Sequence, residues 1–189
     1  MRYRGLQGYL RANARKRGIG LKFEHTLYEH VINLLTKRHI KLAELADLVY
    51  EGQNGFNNKL TKDDCYVAIL HVLKKREVQN AIVTGIYLDD QSKKDKHMDI
   101  YLKAMLDNDE GQYQIDELLS TAVSDVFGGI ANSNRGFLDR TKPGIIGEVD
   151  SKPNNVFLDD LLASIVAGAE AYVANKYPTG AYKEMEEKH

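Results

Sequence analysis

The chain has 189 residues, with 26 basic and 27 acidic side chains and a formal net charge of −1 at pH 7. That length holds one domain with a substantial core, and so balanced a charge supplies no field to attract nucleic acid. Cys65 is the only cysteine, which excludes an intrachain disulfide and a multi-cysteine zinc site and suits a reducing cytoplasm.

Residues 1–22 carry Arg2, Arg4, Arg11, Arg15, Lys16, Arg17 and Lys22 with no acidic residue. This basic arm is expected to stand apart from the fold. It suits peripheral contact with an anionic membrane surface at the inner face of the membrane, where each cation contributes about 1 kcal/mol. No apolar run reaches the ~20 residues that span a bilayer, and no signal peptide is expected. A single helical domain should cover 23–177, followed by a disordered tail over 178–189.

Lys22–Lys37 places Leu27, Val31, Leu34 and Leu35 on one helical face, and Lys41–Tyr50 reads as a short second helix stopped by GQNGFNN. Thr61 then opens a helix with Asp63 and Asp64 in its first turn. From there the helical pattern runs to Leu88, ~40 Å at 1.5 Å per residue. Its second half, NAIVTGIYL, is apolar nearly all round, the mark of a buried helix. The stretch 61–88 is therefore expected to be the central helix of an all-α, multi-helix bundle, with Gly85 letting a neighbour approach closely. Asp89–Lys96 reads as a solvated loop, Asp99–Leu106 as a short helix and Asp107–Gly111 as its break. No stretch shows the alternation of a strand.

Gly111–Ile130 repeats Ile115, Leu118, Leu119, Ala122, Val123, Val126 and Ile130 at intervals of three and four, which predicts a helix with one buried face. At 100° per residue Asp116 falls on the border of that stripe and Glu117 points away. The pattern returns later in the chain: Ile115–Val123 is IDELLSTAV and Leu158–Val166 is LDDLLASIV. Asp159 and Asp160 thus repeat the phase of Asp116 and Glu117. Between the two helices NSNRGFLDRTKPGII reads as an irregular connection, in which Pro143 biases Lys142 away from helix. Either acidic pair alone reads as first-turn charge, which favours a helix N-terminus by about 0.3–1 kcal/mol per carboxylate. Two pairs in matched phase point to an oxygen-ligand metal site between helices.

Other phosphate chemistries fail by motif. There is no GxxxxGK[ST] loop and no GxSxG elbow. Six residues after Cys65 stands His71 where a cysteine phosphatase needs arginine. Asp107 and Asp109 have a D-x-D spacing but follow a helix, and Leu118 occupies the twelfth position where an EF-hand needs glutamate. The set that remains is Asp109, Asp116, Glu117, Asp139, Lys142, Asp159 and Asp160. Carboxylate-rich, imidazole-poor sites suit Mg²⁺, and Lys142 is a cation placed to meet a phosphate.

Asp109 with Asp116-Glu117, then Asp139-x-x-Lys142-Pro143, then Asp159-Asp160, resembles the phosphatidylglycerophosphatase A family, whose D-x6-D-E, D-x-x-K-P and D-D motifs occur in this order. The catalytic half together with Tyr66–Leu88 resembles the branch of that family that includes the low-temperature-requirement C proteins, helical bundles with one central helix. The resemblance implies Mg²⁺-dependent hydrolysis of a phosphomonoester, phosphatidylglycerophosphate to phosphatidylglycerol, in lipid metabolism. It implies Asp116, Glu117, Asp139, Asp159 and Asp160 as the acidic site, with Asp116, Asp139, Asp159 and Asp160 on the metal and Lys142 on the substrate phosphate. The substrate would be a phosphorylated lipid or a small phosphate ester, and a homo-oligomer is compatible with the sequence. Two alternatives stay open: a non-catalytic helical protein that binds metal or phosphate and is linked to low-temperature growth, and a structural bundle whose acidic pairs are helix-start charges.

Overall fold

The computed structural model describes residues 26–153 and 155–176. The expected arm over 1–22 and tail over 178–189 lie outside the described residues. Among the described residues the chain forms helices and no strand: α1 (Leu27–Lys37), α2 (Leu42–Gln53), α3 (Lys62–Leu73), α4 (Arg76–Lys94), α5 (Ile100–Asp107), α6 (Ile115–Asp125), α7 (Gly129–Thr141), α8 (Ile145–Asp150) and α9 (Leu158–Lys176). The all-α expectation holds.

Local chemistry sets several starts. Thr26 and Thr61 cap α1 and α3 through reciprocal bonds with Glu29 and Asp64, each pair satisfying two orphan donors at once. Asp99 caps α5 by accepting from the N–H groups of Tyr101 and Leu102. The helix expected over 61–88 is instead two. It breaks at Lys75, whose ψ of 132° is extended, although neither glycine nor proline marks the spot. The buried Gln79 side chain closes the gap by donating to the carbonyl of Leu73 at 2.9 Å, an acceptor that the interrupted helix leaves without its usual partner.

The central helix is α9, not 61–88. Leu158 through Ala171 are all buried, and α9 touches α2, α3, α4, α6, α7 and α8. Leu161, Leu162 and Ile165 are fully buried, each contributing about 1.5–3 kcal/mol on leaving water. Small residues let neighbours close in: a Cβ at Gly168 would lie 2.7 Å from the Phe127 ring. The same closeness explains Gly85 of α4, where a Cβ would meet Leu161 at 2.7 Å and Phe157 at 2.9 Å. By contrast, Thr84 and Tyr87 in the stretch that looked apolar all round are exposed.

Two expected loops are helical. The polar residues from Asp89 onward continue α4 to Lys94, with Asp89 and Ser92 each 1% exposed. NSNRGFLDRT lies within α7, held by Asn132 to Ser124 and Asp125 of α6 and by Asn134 to Glu170 of α9. In both cases tertiary hydrogen bonds override composition. Helix α6 also sits differently from its pattern. Val123 is buried, but so are Ser120 and Ser124, while Ile115, Leu118 and, beyond the helix, Val126 and Ile130 are exposed. Ser120 and Ser164 oxygens lie 2.8 Å apart, so α6 meets α9 partly through serines.

Candidate functional site

Helices α7 and α9 build the centre of the site. Asp139 stands in the last turn of α7, and Lys142 ends the helix with φ 43° and ψ 55°, its N–H donating to Leu138 O at 2.8 Å. As Pro143 implied, Lys142 leaves the right-handed helix. A Cβ at Gly147 would lie 2.4 Å from Lys142 O, so α8 packs directly against this turn. On the other side Asp159 and Asp160 sit in the first turn of α9 at 5% and 4% exposure.

The Lys142 ammonium lies among four carboxylates: Asp159 at 2.5 Å, Asp139 at 2.9 Å, Asp150 at 3.4 Å and Asp160 at 3.5 Å. Burial by itself would lower the lysine pKa, but hydrogen bonds to Asp139 and Asp159 and the charges of Asp159 and Asp160 raise it, and the ammonium form is fixed. Burial pushes Asp159 up to about 6 against the opposing bond from Lys142. Asp160 is raised too, by burial first and then by the charge of Asp159 and a hydrogen bond shared with Asp139. Asp139 is lowered: burial acts against it, but Lys142 and the bond from Asp160 outweigh burial.

The structure thus brings together Asp139, Lys142, Asp159 and Asp160 of the expected set. It adds Asp150, from the end of α8. Asp116 is not among the partners of Lys142. Its raised pKa comes from burial, eased by backbone N–H groups and reinforced by Asp109 and Glu117, and its Oδ1 is buried with no hydrogen-bond partner. Glu117 is exposed, as its phase on α6 predicted, and no contact brings it to the cluster. Asp109 lines a cleft of about 300 Å³ with Asp107, Asp150, Lys152, Asn155 and Asp159. This cleft runs from the end of α5 to Asp150 and Asp159, two of Lys142's partners.

Sequence reasoning missed Asp89 by placing it in a solvated loop. Its Oδ1 accepts the Phe157 N–H at 3.2 Å, fixing the chain as it enters α9, while Oδ2 is buried without a partner. Burial raises its pKa to about 7, with Arg38 lowering it and Asp159 raising it. Arg38 secures the same entry by donating to Asn155 Oδ1 at 2.9 Å and pairing with Asp90 at 2.5 Å. The ring of Tyr113 meets Phe157 edge-on, with centroids 5.9 Å apart. Burial raises its pKa, and the charges of Asp116 and Asp89 raise it further. No local signal could have paired Asp89 with a backbone donor so far along the chain.

As a donor set, clustered carboxylates with orphaned buried oxygens on Asp89 and Asp116 fit a hard divalent cation. As the side chains stand, no three acidic, histidine or cysteine residues among those described are arranged to hold one; an ammonium fills the centre of the cluster.

Over residues 42–175 the sequence matches the phosphatidylglycerophosphatase A family. The chain belongs to this family. Among its relatives are the uncharacterized proteins YutG and YpjQ of Bacillus subtilis. YutG is 36% identical over 75% of this chain and 87% of its own length; YpjQ is 34% identical over 77% and 82%. Solved structures share the fold. A protein of unknown function from Bacillus stearothermophilus has a TM-score of 0.76 and 35% identity, over 80% of this chain and all of its own. The low temperature requirement C protein from Listeria monocytogenes has a TM-score of 0.77 and 33% identity, over 82% and 99%. No helix of the described residues is long and apolar enough to cross a membrane.

Proposed function

We propose that this family member is a Mg²⁺-dependent phosphomonoester hydrolase acting on phosphatidylglycerophosphate or a related phosphate ester. The observation that carries the reading is the convergence of Asp139, Lys142, Asp159 and Asp160, residues of two separate family motifs, at one half-buried point beside a cleft. Asp139, Asp159 and Asp160 would hold the metal, with Asp116 completing or orienting the set. When bound, the metal would polarise phosphoryl oxygens and orient water. Lys142 would bind the substrate phosphate by charge, and burial of Asp159 and Asp160 strengthens every such contact. The exposed Ile115 and Leu118, in the turns that flank Asp116, offer apolar surface to the acyl chains of a lipid presented at a membrane.

Asp160→Asn is nearly isosteric and removes one of the crowded carboxylates. It should abolish Mg²⁺ binding in calorimetry and phosphate release from phosphatidylglycerophosphate. The metal-free fold should remain intact or become more stable, since Asp160 is a repelled acid. Equal Mg²⁺ affinity in the variant and the wild type would put the metal elsewhere.

A second reading has its own support. Lys142 is saturated by carboxylates, and one solved relative is named for a low temperature requirement. On that reading the chain is a non-catalytic protein that binds metal or phosphate and serves growth in the cold. Wild-type metal binding with no phosphate release from any ester tried would favour it.

A further inference from the structure

We propose that Lys142 is a built-in counter-ion that occupies the metal's place. The ammonium and a divalent cation exclude each other from the carboxylate cluster, so metal entry drives the lysine side chain out along Asp150 into the cleft. This rests on reading the cluster as a metal site, but it makes no use of any reaction.

The geometry argues for exchange. An ammonium has three protons to donate, yet Lys142 stands within 3.5 Å of four carboxylates, a central position with more acceptors than it can satisfy. The ion pairs of both Asp159 and Asp160 run to this one cation. A dication placed among the same oxygens would face a positive charge a few ångströms away, beside Asp159 and Asp160, which are both buried. One of the two must leave.

The backbone is not free to make that move. Lys142 is fixed in the left-handed region by its N–H bond to Leu138 O and by the contact of its carbonyl with Gly147. Only the flexible four-carbon stem can relocate. It has somewhere to go, because Asp150 and Asp159, both partners of Lys142, also line the cleft. A phosphate drawn to the cleft would then meet an ammonium released by the metal itself.

Two measurements test this on the full chain. In calorimetric titration of Mg²⁺, Lys142→Met should bind about tenfold or more tightly than wild type, because the competing charge is gone. Lys142→Arg, which keeps the charge, should not show the gain. Equal affinity in Lys142→Met and wild type would overturn the proposal. Lys142→Met leaves four carboxylates without their counter-ion and could fail to fold, so the second measurement uses wild type. Acetic anhydride labelling of Lys142, read by peptide mass spectrometry, should accelerate several-fold when Mg²⁺ is added, while the exposed Lys62 labels at a constant rate. An unchanged or slower rate at Lys142 would sink the exchange. Mg²⁺-stimulated labelling without phosphate release would uphold the exchange and remove the hydrolase reading. Mg²⁺-dependent phosphate release with unchanged labelling would do the reverse, and no Mg²⁺ binding at all would overturn both.

Discussion

Helices α6 and α9 begin with nearly the same sequence, IDELLSTAV and LDDLLASIV, and end in opposite environments. In α9 both leucines and both aspartates are buried, whereas in α6 Leu118 is 62% exposed and Glu117 faces solvent. Two differences separate them. Helix α9 goes on through the small residues of AGAEA, so helices can pack against it on every side. Helix α6 ends at Asp125 and turns serines toward its neighbour. A shared pattern of apolar and acidic positions thus fixes which residues share a helix face, but not how many faces find partners.

The widest gap should appear in packing. Leu162→Ala empties a fully enclosed position of α9 and should cost about 2–5 kcal/mol in urea unfolding. Its counterpart in α6 is Leu119, but the sharper contrast is exposed Leu118, where Leu118→Ala should stay within about 0.5 kcal/mol. A large loss at Leu118 would mean that the α6 stripe is covered in solution, as a homo-oligomer would cover it.

The next contrast concerns charge. α9 buries Glu170, raised to about 7 by burial with only the Asn134 bond opposing; α6 has no carboxylate so enclosed. A folded pKa above the unfolded value of ~4.3 means that the stabilisation is complete below about pH 4. It is lost as pH rises through 7. Comparing wild type with Glu170→Gln by urea unfolding at pH 4 and pH 8, the wild type should lose on the order of 2–3 kcal/mol relative to the variant. Asp159 and Asp89 act in the same direction in both proteins and cancel. A constant difference across this range would show that Glu170 is not held in the environment described.

The smallest effect lies at the start of α9. Asp89→Ala removes the acceptor for the Phe157 N–H and should cost about 1–2 kcal/mol. Asp89→Asn keeps an acceptor oxygen and removes a carboxylate raised to about 7, so above pH 7 it should be close to neutral or stabilising. If both variants are equally damaging, the ionised carboxylate itself, and not the hydrogen bond, holds the entry to α9. No equivalent side-chain cap exists on α6, where Gln114 precedes the helix at φ 55° without a capping bond.

The sequence by itself determined the all-α class, because apolar spacing and the Thr61–Asp64 and Asp99 caps are local and act within one turn. Through its resemblance to the family it also grouped Asp139, Lys142, Asp159 and Asp160, three carboxylates and a lysine, as one candidate set. It could not determine which helix is central. A helix with acid on one side and alanine on another has little amphipathic signal, and its burial depends on how many neighbours arrive. Nor could it reveal Asp89 or Asp150, whose partners lie at the entry to α9 and at the end of α7, or the helical state of NSNRGFLDRT, which rests on Asn134 reaching Glu170. Only the tertiary structure decided those. Local propensities differ by tenths of a kcal/mol per residue, and a buried hydrogen bond or ion pair between distant segments outweighs them.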